Sequence, residues 1–358
     1  MLRRCILALS LSSIIAGCDG ENPVARGVAP PLFELIAQHD VGVRPRGISI
    51  SPDGRDVLVA MYEGPFEEGI VRLDAETYEP RVAAIGYNFW GVTFDPSGSR
   101  AMIGGRYGNR LLRTPDLGEI RHTNVRSHLT VTDRAGTAWW AVGVCFGCAV
   151  PSGAYRMTPN GDVEKAFAIP TQDNSSFALS RDELLLIASA WPAVHVLRAS
   201  DLVELRSFDF SAAFTDFWYS EMLVPLDEPG RAILIGSARV GVNNPLPEIR
   251  ILHIDYAAGR VGSPVVLPAT GPFTMFGSGN PWTRIHGSIV LVTGRSVLVL
   301  DGVTGALAAR FDDLLPESPR DCCNVAYDAR RERLLVVGQF GEPYTTGQLL
   351  VFQLHASE

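Results

Sequence analysis

The 358-residue chain predicts an all-β fold, a seven-bladed β-propeller whose ring is closed by an N-terminal strand pairing with the last blade. Three observations carry the prediction. One apolar–turn–apolar pattern recurs along the chain, a polar hairpin follows its copies, and one strand is left over before the first copy while the last copy lacks its outer strand.

The recurrence is clearest in "GISISPDGRDVLVA" (47–60) and "GVTFDPSGSRAMIG" (91–104). The same frame fits "LVPLDEPGRAILIG" (223–236) and "NVAYDARRERLLVV" (324–337). Looser copies are "HLTVTDRAGTAWWAV" from His128, "SFALSRDELLLIA" from Ser176 and "PWTRIHGSIVLVT" from Pro281. Each copy is an apolar run broken by a turn with Asp, Gly or Pro and then resumed, as in two antiparallel strands. Copies return roughly every 40 to 60 residues, the spacing of four-stranded propeller blades.

The outer strands follow. "IVRLDAETYEPRVAAI", "LLRTPDLGEIRHTNV" and "SVLVLDGVTGALAARF", with three similar stretches, read as strand, tight polar turn, strand, and complete six blades. The seventh copy ends at "QLLVFQLHASE" without an outer strand, while "LFELIAQHDVG" (32–42) precedes the first copy without a partner. Pairing the two closes the ring and removes an open sheet edge.

The stretch "RPRGISISPDGRDVLVA" and the "LDAETYEP"-like hairpins resemble the YVTN-type β-propeller repeat family, over nearly all of the chain past residue 31. That resemblance implies the propeller fold. It leaves function open, because its relatives include lactonases, quinoprotein dehydrogenase subunits and proteins that only bind.

The N-terminus reads "MLRRCILALSLSSIIAGC". Arg3 and Arg4 precede an apolar run, Cys5 to Ala16, that is too short to span a bilayer and suits a signal peptide. Ile15-Ala16-Gly17-Cys18 resembles the lipobox of bacterial lipoproteins, which implies acylation of Cys18 and a membrane anchor made of lipid. Asp19 leaves the choice of membrane open, since the retention rule at that position is confined to some lineages. The expected organisation is a signal peptide at 1–17, the lipidated cysteine and a Pro- and Gly-rich tether at 18–31, and the propeller at 32–358. The expected address is the bacterial cell envelope.

The formal net charge is −8, and loss of Arg3 and Arg4 would make it −8 − 2 = −10. No basic run is present, so nucleic acid is a poor candidate partner. Among 31 basic residues Lys165 is the one lysine, and it sits in a turn-flanking stretch unsuited to Schiff-base chemistry.

In propellers of this kind the residue leading into each innermost strand lies at one rim of the channel. The frame places Arg46, Trp90, Ser127, Ser175, Met222, Trp282 and Cys323 there, with Arg44, Phe89, His128, Asn174, Trp218, Tyr219 and Asp321 beside them. Arg46, Trp90, His128, Ser175, Trp218, Tyr219 and Trp282 are the candidate binding residues, suited to a protein, peptide or glycan. The competing reading has the tryptophans filling space between blades.

Signs of catalysis are few. Of seven histidines only His128 falls at the rim, no Gly-x-Ser-x-Gly elbow occurs, and "GGRYGN" (104–109) has no helix behind it to cradle phosphate. Asp312 and Asp313, adjacent in sequence, read as solvated. No catalytic residue, metal or cofactor is singled out. The expectation is a membrane-anchored binding or scaffolding module, the alternative an exported lactonase-like hydrolase or quinoprotein-type oxidoreductase subunit.

Four cysteines remain after Cys5 and Cys18: Cys145 and Cys148 in "CFGC", and adjacent Cys322 and Cys323. In an exported protein their even number favours disulfides. Local pairs, cross-blade staples and a four-cysteine zinc site are all compatible with the spacing. A redox role is weaker, since C-x-x-C here sits in a β-loop and not at a helix start. Ala149 excludes covalent haem attachment, where histidine would be needed.

Overall fold

The computed structural model describes residues 32–42, 44–62, 69–84, 88–145, 147–169, 176–190, 192–211, 218–240, 244–268, 280–315, 323–340 and 347–355. For 218–221, 237–240 and 244–247 the backbone alone is described. The expected signal peptide and tether, Cys18 included, lie outside these residues.

Seven antiparallel sheets succeed one another in chain order as the blades of a propeller. Blade 1 is Pro45–Ile50, Asp56–Met61, Ile70–Asp74 and Pro80–Ala84, from the channel outward. The innermost strands of blades 2 to 7 are Phe89–Phe94, Val125–Thr132, Ser176–Leu179, Trp218–Pro225, Trp282–Ile285 and Asn324–Asp328. Leu32–Gly42 pairs with Gly347–His355 as the outer strand of blade 7, in register from Leu32 opposite His355 to Gly42 opposite Gly347. The orphan N-terminal strand of the sequence thus completes blade 7 and closes the ring.

The blades pack face to face, so their middle strands are apolar on both sides. Asp56–Met61 shows this within four residues. Val57 and Val59 pack toward blade 7, against Leu335 and Val337. Leu58 and Ala60 pack toward blade 2, against Phe94 and Ile103. Period-two alternation with apolar residues in both phases follows from that sandwiching. Outer strands such as Val163–Ala168 face solvent and are polar, and Lys165 is exposed there.

Blade 5 departs from the four-strand plan. Its outer edge is two short strands, Arg260–Val261 and Val265–Pro268, both paired to Asn244–Asp255. Between them lies Gly262-Ser263-Pro264, and proline has no N–H to continue a ladder.

The two rims differ. One is built of tight turns such as 51–55, and there side chains tie each blade to the next. Arg72 donates to the Pro115 carbonyl (2.9 Å), Arg100 to Pro159 (2.9 Å), Arg134 to Arg181 (3.1 Å) and Arg206 to Ala257 (2.6 Å). Arg284 of blade 6 donates to Asp227 of blade 5 (2.9 Å), and Arg331 of blade 7 to the Gly54 carbonyl of blade 1 (2.7 Å). Blades 6 and 7 are joined instead by His286 and Glu332, 2.6 Å apart. At the other rim end and begin the strands that flank the connections 62–69, 169–175, 210–217, 269–281, 312–323 and 339–346. Connections of that length carry binding surfaces more often than tight turns do.

Candidate functional site

At the long-connection rim the innermost strands of blades 1, 2 and 3 begin with β-bulges. In blade 1 the register passes from Pro45 opposite Met61 to Gly47 opposite Ala60, leaving Arg46 as the extra residue. In blade 2 it passes from Phe89 opposite Gly105 to Gly91 opposite Gly104, leaving Trp90. In blade 3 His128 and Leu129 fall between Ser127, opposite Gly143, and Thr130, opposite Ala141. A bulge re-aims one side chain without ending the strand. Here it does so at equivalent places in three neighbouring blades.

Glycines let these bulges meet. A Cβ on Gly91 would lie 2.4 Å from the His128 carbonyl oxygen, and one on Gly47 would lie 2.8 Å from the Gly91 Cα. The inner strands of blades 1, 2 and 3 therefore touch backbone to backbone.

The result is a ladder of side chains across three blades. The Arg46 guanidinium lies over the Tyr62 ring, 5.2 Å from its centroid. Tyr62 is near-parallel to Trp90 (6.3 Å, 20°), and Trp90 stacks on His128 (4.1 Å, 5°). Arg126 places its guanidinium 5.0 Å from the Trp90 centroid. Such cation–π and stacked pairs each contribute about 0.5–1.5 kcal/mol. Trp90 is 5% exposed and serves as the spacer of the ladder. Tyr62, Arg126 and the edge of His128 remain half-buried and are the parts a partner can reach.

His128 stands apart from the other histidines. His122 bonds the Tyr107 carbonyl (3.0 Å), His195 bonds Glu204 (2.7 Å), and His253 bonds the Thr304 carbonyl (3.0 Å). His286 bonds Glu332 (2.6 Å), His355 bonds Glu34 (2.8 Å), and His39 packs its ring on Tyr78. Both ring nitrogens of His128 are sealed from solvent and neither has a hydrogen-bond partner. Burial, then the charges of Arg126 and Arg46, pull its pKa down to about 3. It is a neutral imidazole at neutral pH, able to take part in hydrogen bonds but a poor proton acceptor.

The other expected rim residues go elsewhere. The blade 3 bulge turns Ser127 inward, 0% exposed, where Asn109 Nδ2 donates to its hydroxyl (2.9 Å) and its own N–H donates to Asn109 Oδ1 (3.2 Å). Met222 is buried between blades 5 and 6, and half-buried Trp282 packs against that same cluster. Cys323 is buried between blades 6 and 7. Ser175, Asn174, Asp321 and Cys322 lie outside the described residues. Trp218 and Tyr219 begin the innermost strand of blade 5, opposite Ala238 and Ser237. Asp312 is not simply solvated: it accepts hydrogen bonds from Ser296 (2.7 Å) and Arg310 (2.7 Å).

Cys145 and Cys148 are joined by a disulfide at the same rim, with Cα atoms 5.5 Å apart. The bridge is local to blade 3. It clips the end of the second strand, where the Cys145 N–H also donates to the Pro151 carbonyl (2.9 Å). That pairing replaces the cross-blade staple and the shared zinc site as the arrangement of these two residues. Among the described residues no group of three or more His, Cys, Asp or Glu is placed to hold a metal ion.

A seven-bladed propeller with a guanidinium–aromatic ladder at one rim is the class that fold and site define. No protein-family model matches the chain, and no curated protein matches it.

Proposed function

We propose that this chain is an exported bacterial lipoprotein, held at a membrane by lipid on Cys18, whose propeller is a binding or scaffolding module for a protein, peptide or glycan. The observation that carries the binding role is the gathering of Arg46, Tyr62, Trp90, Arg126 and His128 from three blades at one rim. At the opposite rim, side chains tie each blade to the next. A neutral His128 stacked on Trp90 suits recognition better than proton transfer. The lipobox-like Ile15–Cys18 supports the anchor, and the YVTN-like repeats allow a binding role without requiring one.

Two measurements test the proposal. Fatty-acid labelling of the chain expressed in a bacterial host should mark the wild type and not Cys18→Ser; equal labelling would overturn the anchor. Peptide and glycan arrays probed with the mature chain should give ligands whose binding falls at least tenfold in Tyr62→Ala. Turnover of a lactone, or of an alcohol with added quinone cofactor, abolished by changes at this rim would replace the binding role with an enzymatic one.

A further inference from the structure

A second site lies at the opposite rim, between blades 4 and 5. There the blades leave a cavity of about 430 Å³, within the size range of small-molecule sites. Its apolar wall is Leu185 and Val196 from the middle strands of blade 4, Leu205 from its outer strand, and the Tyr256 ring from a turn of blade 5. Leu205 is 50% exposed, so apolar surface faces water here without cover from the protein.

The gap is held open from both sides. Arg206 Nη1 donates to the Ala257 carbonyl (2.6 Å), and Arg181 Nη2 pairs with Asp227 (2.8 Å). The blade 5 wall is fixed by its turns. Gly230 has φ +81°, and a Cβ there would meet the Ala257 Cβ at 2.6 Å, while the Ala258 N–H is tied to Asp255 (2.7 Å). Neither wall can lean in to fill the space.

Charge at the mouth selects the ligand. Arg181, Arg206 and Asp182 line the cavity, and just outside it Asp227 is shared by Arg181 and Arg284. A guanidinium has five N–H donors, and the interblade bonds of Arg181 and Arg206 leave several of them to offer. Planar donor pairs of this kind match a carboxylate or sulfonate. We propose that this cleft binds a small amphipathic monoanion, an aromatic or short-acyl acid. Its apolar body lies on Leu185, Val196, Leu205 and Tyr256, and its acid group meets Arg181 and Arg206. Asp182 at the mouth disfavours a second negative charge.

The probe is 1-anilinonaphthalene-8-sulfonate, titrated by fluorescence into the purified mature chain and then displaced by octanoate. Saturable binding is expected, displaced by octanoate and not by octylamine. Leu205→Glu, an exposed position whose change leaves the fold alone, and Arg206→Gln should each weaken it at least tenfold. Tyr62→Ala, at the other rim, should leave it unchanged. Binding insensitive to both cleft variants, or displaced as well by octylamine as by octanoate, would overturn the proposal, as would no saturable binding at all.

Discussion

Trp90 and His128 belong to different blades yet lie face to face, ring centroids 4.1 Å apart and planes within 5°. The stack depends on two bulges and on a glycine, Gly91, that lets the strands behind the rings touch. Two consequences can be measured, one in the ring and one in the backbone.

The first is a pH dependence. The fold holds the His128 imidazole neutral down to about pH 3, through burial and then Arg126 and Arg46, against an ordinary value of 6.5. The unfolded chain therefore binds the extra proton between those values, and stability falls as pH drops from about 6.5 toward 3. A shift of that size corresponds to roughly 3 kcal/mol once the half-buried ring edge is discounted. His128→Phe keeps a flat ring on Trp90 and cannot titrate. Between pH 7 and pH 4 the urea-derived stability of the wild type should fall further than that of the variant. Parallel curves would show that another group carries the acid sensitivity.

The second concerns Gly91. Its Cα faces the His128 carbonyl so closely that Gly91→Ala must push blades 2 and 3 apart. Overpacking of this kind costs about 1–3 kcal/mol. Gly262→Ala is the control for adding a Cβ, since its nearest neighbours would be the His253 carbonyl oxygen at 3.5 Å and the His253 Cβ at 3.6 Å. Near-UV circular dichroism should show the Trp90 signal altered in Gly91→Ala and retained in Gly262→Ala. An unchanged signal in Gly91→Ala would mean the stack does not need that contact.

Much of this was legible in the sequence because propeller blades are local. Strand, turn and strand succeed one another, and the orphan Leu32–Gly42 could pair only with the unfinished blade. Contacts between blades were harder. Tyr62 ends a strand in blade 1 and finds Trp90 in blade 2, a meeting that no spacing encodes. The frame put Ser127 at the rim with His128 beside it; the bulge moves the register by one residue and exchanges their roles. The arginines that bind the turns together carry no sequence signal of that role, since each bonds a carbonyl contributed by a different blade.

The disulfide supplies a third prediction. Cys145 and Cys148 are three positions apart, so the bridge closes a very short loop. The chain-entropy model assigns such a loop about 2 kcal/mol. The paired change Cys145→Ala and Cys148→Ala should lower the urea-extrapolated stability by about that amount and leave the far-UV spectrum intact. Collapse of the fold would show that the bridge anchors more than the end of one hairpin.

The interblade links rank themselves by burial. Arg331 closes the ring by donating to the Gly54 carbonyl (2.7 Å) and to Asp328 (2.8 Å), whose side chain is 1% exposed. Arg331→Ala would leave that carboxylate buried with only the Arg330 and Arg331 backbone N–H groups, at 3.0 and 3.2 Å, to satisfy it. A loss of about 2–3 kcal/mol is expected, below the full penalty for an orphaned buried charge because those two bonds survive. His286 and Glu332 form the corresponding link between blades 6 and 7 with side chains 62% and 43% exposed. Tyr327 adds its hydroxyl to Glu332 (2.5 Å), and that bond, then His286, holds the Glu332 carboxyl below its usual range. Solvent screens an exposed cluster of this kind, so His286→Ala should cost under about 1 kcal/mol. Urea unfolding of the two variants decides the matter. If His286→Ala proves as damaging as Arg331→Ala, the ring is held by the number of its links and not by the burial of the one that closes it.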